Sequence, residues 1–232
     1  MSTLNPTRKV SRRQELREDR VVTMSARAID FYENNRNLVY GAVAAIVVVA
    51  LLAVGLAWNS ARRNDQALER MATAVQRYEA GAYQAALDGD ISFTGLLDIA
   101  DEYGGTDAGN LAKFYAADAL FRVGDLERSL EYFREFDKQS DYLGASAFAG
   151  EAAIHESRDE FSRAGDLFMR AANVFESEIT SPDYLLQAGR AYERAGEFDN
   201  AISAYERIKE DYPDTQAATS VDFHLARLQA AS

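Results

Sequence analysis

The chain is dominated by a turn that recurs with a period near 34 residues and is followed each time by small and aromatic residues. The three clearest copies begin at Gly124, Asp159 and Gly196. After the last of them, Ala201 and Tyr205 stand four residues apart, which places both on one helical face. A unit of this length cannot bury its apolar face alone, so neighbouring units must stack to build a core. The repeat therefore predicts an array of paired α-helices.

The rest of the chain after residue 64 favours the same all-α fold. Only Pro182 and Pro213 interrupt it, and no run alternates apolar and polar residues as a half-buried strand would. A weaker turn begins at Gly81, and the helix after it is interrupted by the segment DGDISFTG. Residues 101–117 and 210–226 form a second pair of similar segments. We predict repeat units near 67–103, 110–143, 145–178 and 182–215, and a capping helix over 216–230.

Residues 38–58, LVYGAVAAIVVVALLAVGLAW, form twenty-one consecutive positions without a charge. A helix needs about twenty such residues to cross the hydrocarbon core of a membrane. The alternative is a cleaved signal peptide, whose apolar region would be shorter, about 7 to 15 residues after a short basic start. We therefore predict an uncleaved transmembrane helix, which divides the chain into a tail over 1–37, a span over 38–58 and a repeat domain over 59–232.

Charge is distributed unevenly on the two sides of this span. Residues 1–37 hold eight Lys and Arg against five Asp and Glu, whereas residues 64–232 hold fifteen against thirty-two. Short basic segments stay on the cytoplasmic side, while a long domain translocates largely regardless of its charge. We expect a single-pass protein of the cell inner membrane, with the tail in the cytoplasm and the acidic domain in the periplasm. Such an acidic surface repels nucleic acid, so no nucleic-acid partner is expected.

The unit over 182–215 resembles the tetratricopeptide repeat, a helix-turn-helix motif of 34 residues. With Pro182 at its first position, the residues that carry the resemblance are Leu185, Ala188, Gly189, Tyr192, Gly196, Ala201, Tyr205, Ile208 and Pro213. Gly189 and Ala201 are expected to be small because two helix backbones approach there, and Ser181 is expected to cap the first helix. The resemblance implies an α-solenoid of about three to four helix pairs, so together with the span over 38–58 we predict an all-α chain with a single N-terminal transmembrane helix followed by this solenoid.

Taken whole, the basic tail, the single span and the acidic repeat domain resemble a bacterial inner-membrane-anchored tetratricopeptide repeat protein. The layout is similar to that of the ancillary subunit family of the Sec translocon. This resemblance implies a non-enzymatic adaptor for protein–protein interactions in the cell envelope, with translocon subunits and periplasmic chaperones as partners and the lipid bilayer contacted through residues 38–58. Two alternatives stay open: a structural subunit of another stable inner-membrane or envelope complex, and an enzyme accessory without active-site residues of its own.

Sequence motifs for catalysis are missing. There is no cysteine, and His155 and His224 each lack a second ligand at metal-binding spacing. The acidic turn around Asp88 and Asp90 lacks the residue order of a calcium loop. His155 occupies a position that is usually tyrosine in the repeat, so it is interpreted as a packing residue. We predict no enzyme activity, no catalytic residue, no cofactor and no metal site.

In tetratricopeptide domains the concave face is lined by particular positions of the first helix of each unit. The resemblance places two sets of residues there: Leu111, Phe114, Asp118, Phe121 and Arg122 in one unit, and Asp183, Leu186, Arg190, Glu193 and Arg194 in the last. Phe114 and Phe121 are equally compatible with a place in the core, and the arginines with pairing to Glu193 or Glu197. The lysines and asparagines that bind a terminal carboxylate in chaperone-tail binders are absent from this pattern.

Overall fold

A computed structural model describes residues 31–231. Most of the predicted basic tail, residues 1–30, lies outside the described part. Residues 31–34 are helical, and helix α1 runs from Arg36 to Glu79. The chain divides into two compact units between Asn59 and Ser60, close to the predicted end of the span.

The first unit contains the predicted span. Residues 38–58 are helical throughout and their side chains are almost all exposed. By length and composition alone, α1 is long and apolar enough to cross a membrane. At 44 residues α1 is much longer than a typical span, which needs about twenty. Its last part belongs to the second unit, where Ala67, Met71 and Ala74 are buried.

The second unit is a series of helices joined by short turns. After α1 come α2 (Tyr83–Asp88), β1 (Gly89–Asp90), β2 (Phe93–Thr94) and α3 (Leu96–Tyr103). The helices that follow are α4 (Asp107–Val123), α5 (Leu126–Glu135), α6 (Tyr142–Ser157), α7 (Phe161–Val174), α8 (Ser181–Ala195), α9 (Phe198–Asp211) and α10 (Gln216–Ala231). Each helix from α3 onward packs against the next, and α4 also contacts α6, as α8 contacts α10. The prediction of a helical solenoid is therefore confirmed.

The short hairpin β1–β2 is the exception to the predicted all-helical domain. It occupies the segment DGDISFTG, with Gly89 paired to Thr94 and Asp90 to Phe93 in antiparallel register. The Asp90 carboxylate accepts hydrogen bonds from the backbone N–H of Ser92 at 2.6 Å and from its hydroxyl at 2.5 Å. The prediction of no strand was wrong here because two residues per strand are too few to show an alternating pattern.

The predicted turns share one backbone conformation. Gly81, Gly124 and Gly196 have φ between 76° and 87°, and Asp159 has φ 59° at the equivalent place. This left-handed conformation ends one helix and redirects the chain into its partner, and glycine adopts it without steric cost. The alignment of the four turns, made from sequence, is thus matched by their geometry.

The second pair of similar segments also has a common structure. Thr106 Oγ1 accepts a hydrogen bond from the N–H of Gly109 and donates one to the carbonyl of Tyr103. Thr215 does the same with Ala218 and Tyr212. In each case the hydroxyl caps a helix and ties it to the end of the preceding one. Helix α10 is therefore structurally equivalent to α4, the first helix of a pair.

Glycines on three helices make room for aromatic rings of the neighbouring helix. A Cβ added at Gly189 would lie 2.2 Å from Tyr205 Cε1, and one at Gly165 would lie 2.6 Å from Tyr192 Cε1. Gly150 faces the ring of Phe133 in the same way. The expected reason for the small residue at 189 was the approach of two backbones. The structure shows instead that a tyrosine ring from α9 fills the space.

Ser181 does not cap α8 as expected, since the helix begins at that residue. Its hydroxyl is buried and accepts a hydrogen bond from the N–H of Ser177, close to the carbonyls of Ala172 and Phe175. Ser181 therefore stabilises the end of α7 rather than the start of its own helix.

The core of the repeat domain consists of three apolar clusters. The N-terminal cluster extends from Ala67 to Leu120 and the C-terminal cluster from Phe148 to Leu228. Between them lies a smaller middle cluster formed by Ala117, Leu130, Phe133, Phe136, Ala147 and Ile154. Each cluster is shared by consecutive helices, as expected of a solenoid in which units contact mainly their neighbours.

Candidate partner-binding surface

The ten candidate residues lie on two first helices, five on α4 and five on α8. On α8 Asp183, Leu186, Arg190 and Glu193 follow one another at intervals of three or four residues, and Arg194 lies four residues after Arg190, which places the set on one face. The two sets do not contact each other among the described residues. The α4 set contacts α1, α2 and α5, whereas the α8 set contacts α6, α7, α9 and α10.

The apolar members of the α4 set are mainly packing residues. The ring of Phe114 lies 5.5 Å from that of Phe136 and 6.1 Å from that of Phe133. Phe121 is half-buried against the same middle cluster, and Leu111 is half-buried against the N-terminal one. The placement of the two phenylalanines agrees with the alternative that they belong to the core.

Asp118 and Arg122 form a satisfied network with two tyrosines. Asp118 accepts a hydrogen bond from the hydroxyl of Tyr78 and one from Arg122 Nε at 2.5 Å. The Arg122 guanidinium lies 5.2 Å from the ring centroid of Tyr83. Burial, together with the Asp118 carboxylate, raises the pKa of Tyr78 above its ordinary value. This network holds α1, α2 and α4 together and leaves the Asp118 carboxylate with two donors.

Arg194 is engaged with the preceding repeat. Its guanidinium lies 2.7 Å from a Glu156 carboxylate oxygen and 3.8 Å from one of Asp159. The same group stacks 3.8 Å from the ring centroid of Phe161. These contacts connect α8 to the end of α6, to the turn after it and to the start of α7. The pairing of Arg194 is therefore with Glu156, rather than with Glu193 or Glu197.

Glu193 is the acceptor at the junction of α8, α9 and α10. One of its oxygens accepts from the Tyr205 hydroxyl and from His224 Nδ1, each at 2.7 Å. Its other oxygen accepts from Arg227. Because the carboxylate has three donors, it can fix α10 against the last pair of helices.

Arg190 differs from the other arginines of this face. It is exposed, and within the described residues no carboxylate oxygen lies within 4.0 Å of its guanidinium. Leu186 is half-buried against the C-terminal cluster, and Asp183 is exposed in the first turn of α8, where a negative charge is favourable. The α8 set thus contains an unpaired cation next to two residues that hold helices together.

A depression of about 490 Å³ opens around Arg190. It is formed by α6, α8 and α10, and its lining residues are Glu156, Gln187, Arg190, Glu193, Arg194, His224 and Arg227. Four of these residues were not predicted from the sequence: Glu156, Gln187, His224 and Arg227. Arg227 could have been found from the similarity of 101–117 to 210–226. Extending that alignment by one residue places Arg227 opposite Asp118, which was already a candidate.

Around this depression, charged side chains of different helices form ion pairs with each other. Within residues 31–228, no group of three or more His, Cys, Asp or Glu is placed to hold a metal ion. His155 is buried and its Nδ1 contacts a Glu160 carboxylate, which holds the pKa of Glu160 below its ordinary value. These contacts serve packing, and binding of another molecule is the function that the exposed part of the surface can perform.

Comparisons with known proteins agree with this description. Residues 183–215 match the family model of the tetratricopeptide repeat, in good agreement with the predicted unit over 182–215. A crystal structure of a Podosopora anserina chain, described as a kinesin light chain with nearly identical TPR-like repeats, is similar in fold. The TM-score is 0.54 at 14% sequence identity, over 72% of this chain and 87% of the other. No curated protein matches the chain. Tetratricopeptide repeats are protein-interaction scaffolds and are generally non-catalytic.

Proposed function

We propose that this protein is a non-enzymatic adaptor that binds other proteins through the face formed by α6, α8 and α10. The observation that supports the proposal most directly is the depression around Arg190, where an unpaired guanidinium is exposed between three helices. Arginines at such places dominate binding energy in many protein interfaces. The carboxylates beside it, Glu156 and Glu193, are already engaged with cationic partners, so they hold the helices together rather than activate a nucleophile.

A single substitution tests this surface. Arg190→Glu reverses the unpaired charge, while the contacts of Arg194 with Glu156 and Phe161 stay in place. The matched control is Arg134→Glu on α5, which changes another exposed arginine by the same charge. Tagged full-length chains are solubilised in mild detergent, and co-purifying proteins are quantified by mass spectrometry. We expect Arg190→Glu to lose the main partner and Arg134→Glu to keep it. Equal recovery with both variants would place the partner on another surface.

The anchoring of the adaptor is part of the proposal. The uncharged run over 38–58 supports a single membrane span, and the basic residues of the tail support a cytoplasmic N-terminus. The repeat domain would then stand in the periplasm of a cell with an inner membrane. A reporter enzyme that is active only outside the cytoplasm should work when fused after Ser232 and fail when fused before Met1. The reverse pattern would contradict this orientation.

The partners proposed are subunits of the protein translocon and periplasmic chaperones, which handle exported chains. The support is the similarity of layout alone: a basic tail, one span and an acidic repeat domain. Crosslinking in intact cells before solubilisation distinguishes this proposal from a structural role. Recovery of translocon subunits together with unfolded exported chains supports the translocation role. Stable recovery of another complex in fixed stoichiometry, without exported chains, would favour the structural subunit.

A further inference from the structure

Arg190 stands at a position that recurs in four successive first helices, α4, α6, α8 and α10. It precedes the left-handed turn residue Gly196 by six positions, as Asp118 precedes Gly124 and Ala153 precedes Asp159. Arg227 follows the capping threonine Thr215 by the same twelve positions that separate Asp118 from Thr106. The series along the array is therefore Asp118, Ala153, Arg190 and Arg227. At this repeat position the residue is acidic in the first of these units, small in the second and basic in the last two.

The four members of this series differ in how their charge is compensated. Asp118 has two donors and Arg227 is bound to Glu193. Ala153 is half-buried and uncharged. Arg190 has no carboxylate within ion-pair distance in the described part of the chain. Among the described residues, Arg190 is therefore the member of the series whose guanidinium has no ion-pair partner.

The neighbours of Arg190 experience its positive charge. Burial and the Arg190 guanidinium together lower the pKa of His224 below its ordinary value. Burial raises the pKa of Tyr205 to about 12, and Arg190 opposes that change. Burial is the larger cause of each shift and the Arg190 charge is the smaller one; His224 lines the same depression as Arg190.

We propose that the depression between α6, α8 and α10 binds an aspartate or glutamate side chain of an extended partner segment, with Arg190 as the direct ligand. The inference rests on the proposed adaptor function and names the chemistry of the partner. A guanidinium presents two parallel N–H groups that match a carboxylate, and such charge-assisted pairs are the stronger hydrogen bonds in proteins. Gln187, one turn before Arg190, and Arg227 on α10 line the same depression and offer further donors.

The surroundings favour an acidic segment over a basic one. Three arginines line the depression against two glutamates, and both glutamates already accept from arginine or histidine. A cationic side chain would meet Arg190 and would have to displace one of those pairs. At the other end of the series the Asp118 carboxylate is bound to Arg122 and no unpaired cation of the series lies there, so the acidic part of a bound segment would lie toward α10.

Fluorescence polarisation with defined peptides tests this inference on the full-length chain in detergent. The probe is a rhodamine-labelled decapeptide with blocked ends in which aspartate alternates with glycine, and matched peptides carry asparagine or lysine instead. We expect the aspartate peptide to bind and the asparagine peptide to bind about tenfold more weakly, a difference of about 1.4 kcal/mol. Binding of the aspartate peptide should weaken further when the salt is raised to about 1 M, where screening is strong.

Variants locate the binding to the depression. Arg190→Gln should lower the affinity for the aspartate peptide about tenfold, and Arg134→Gln should leave that affinity unchanged. Arg190→Glu should reverse the preference and favour the lysine peptide, a gain that a misfolded variant would not show. Equal affinities of the parent and Arg190→Gln would overturn the inference and point to the basic tail over 1–37 as the binding segment.

Two further outcomes would also overturn it. One is an absence of binding by the parent to the aspartate peptide; the other is binding that requires a free terminal carboxylate and ignores side-chain charge. If the peptides fail in either way but Arg190→Glu still loses its co-purifying partner, the adaptor function stands and the acidic-segment inference falls. The two failures are therefore distinguishable.

Discussion

The ring of Tyr205 on α9 packs against Gly189 on α8, where the absence of a side chain lets the two helices lie close together. Gly189→Ala would place a methyl group 2.2 Å from Tyr205 Cε1, and that ring is fully buried. Alanine would gain about 1 kcal/mol of helix propensity over glycine. The overpacking cost of about 1 to 3 kcal/mol should exceed that gain. We expect a lower midpoint of urea unfolding for Gly189→Ala.

The control for this prediction is Gly105→Ala. Nothing lies within 4 Å of a Cβ at Gly105, and its φ is not in the left-handed region. Its urea midpoint should stay close to that of the parent, within about 0.5 kcal/mol. If both substitutions had the same effect, the ring of Tyr205 would not be the cause.

Glu197 provides a pH-dependent contact at the start of α9. Hydrogen bonds from Ser162 and Asn200 hold the pKa of Glu197 below its ordinary value. Its stabilising contribution is therefore fully present above the unfolded pKa, about 4.3. The contribution is lost as pH falls through the lower folded pKa, because the unfolded chain then binds the proton more readily.

We expect the stability difference between the parent and Glu197→Gln to shrink as the pH falls from about 6 to about 3. Urea unfolding of both chains across this range measures it. Glu206→Gln, an exposed change on α9, is the control and should show no such trend. A difference that stays constant with pH would mean that the Glu197 carboxylate is not selectively stabilised in the fold.

At the scale of elements, the four left-handed turns connect the helices of each pair. Asp159 is the one non-glycine among these four turn residues, and a side chain in this conformation costs about 1 kcal/mol or more. Asp159→Gly should relieve that strain and raise stability by up to about 1 kcal/mol, offset by the weak contact with Arg194 and by chain entropy. Thermal unfolding of the variant measures the change.

Gly124→Ala is the opposite experiment. No atom lies within 4 Å of an added Cβ, so the loss of about 1 to 2 kcal/mol would come from the backbone alone. Gly124→Asn should lose less, because asparagine tolerates this conformation. Equal stability of all three chains would show that these turns do not require a left-handed residue.

The helices could be predicted from the sequence more accurately than the side-chain contacts between them. The period and the turn residues predicted the helix pairs, because both are local signals that each unit repeats. The hairpin β1–β2 was missed since its strands have two residues each. The partner of Arg194 was missed for another reason. It lies on the preceding repeat, and a pattern along one helix does not specify which side chain of the next helix comes within reach.

For the whole molecule, the question is whether the apolar part of α1 anchors the chain. We expect the full chain to sediment with membranes and to resist extraction by about 1 M salt, which screens charge but does not weaken apolar burial. A chain that lacks residues 38–58 should remain in the supernatant with its helical spectrum. Release of the full chain by salt alone would contradict the span and favour a peripheral attachment.

The division of the core into three clusters has a consequence for how the domain opens. In an array whose stability is a sum of units and interfaces, unfolding is cooperative within a cluster and less so between clusters. The middle cluster is the smallest, and the loop after α5 that adjoins it is largely exposed. Amide protons of α5 should therefore exchange before those of α8 and α9, whose cluster is the largest. A protease that cuts this loop would leave a C-terminal subdomain that keeps the Arg190 depression folded.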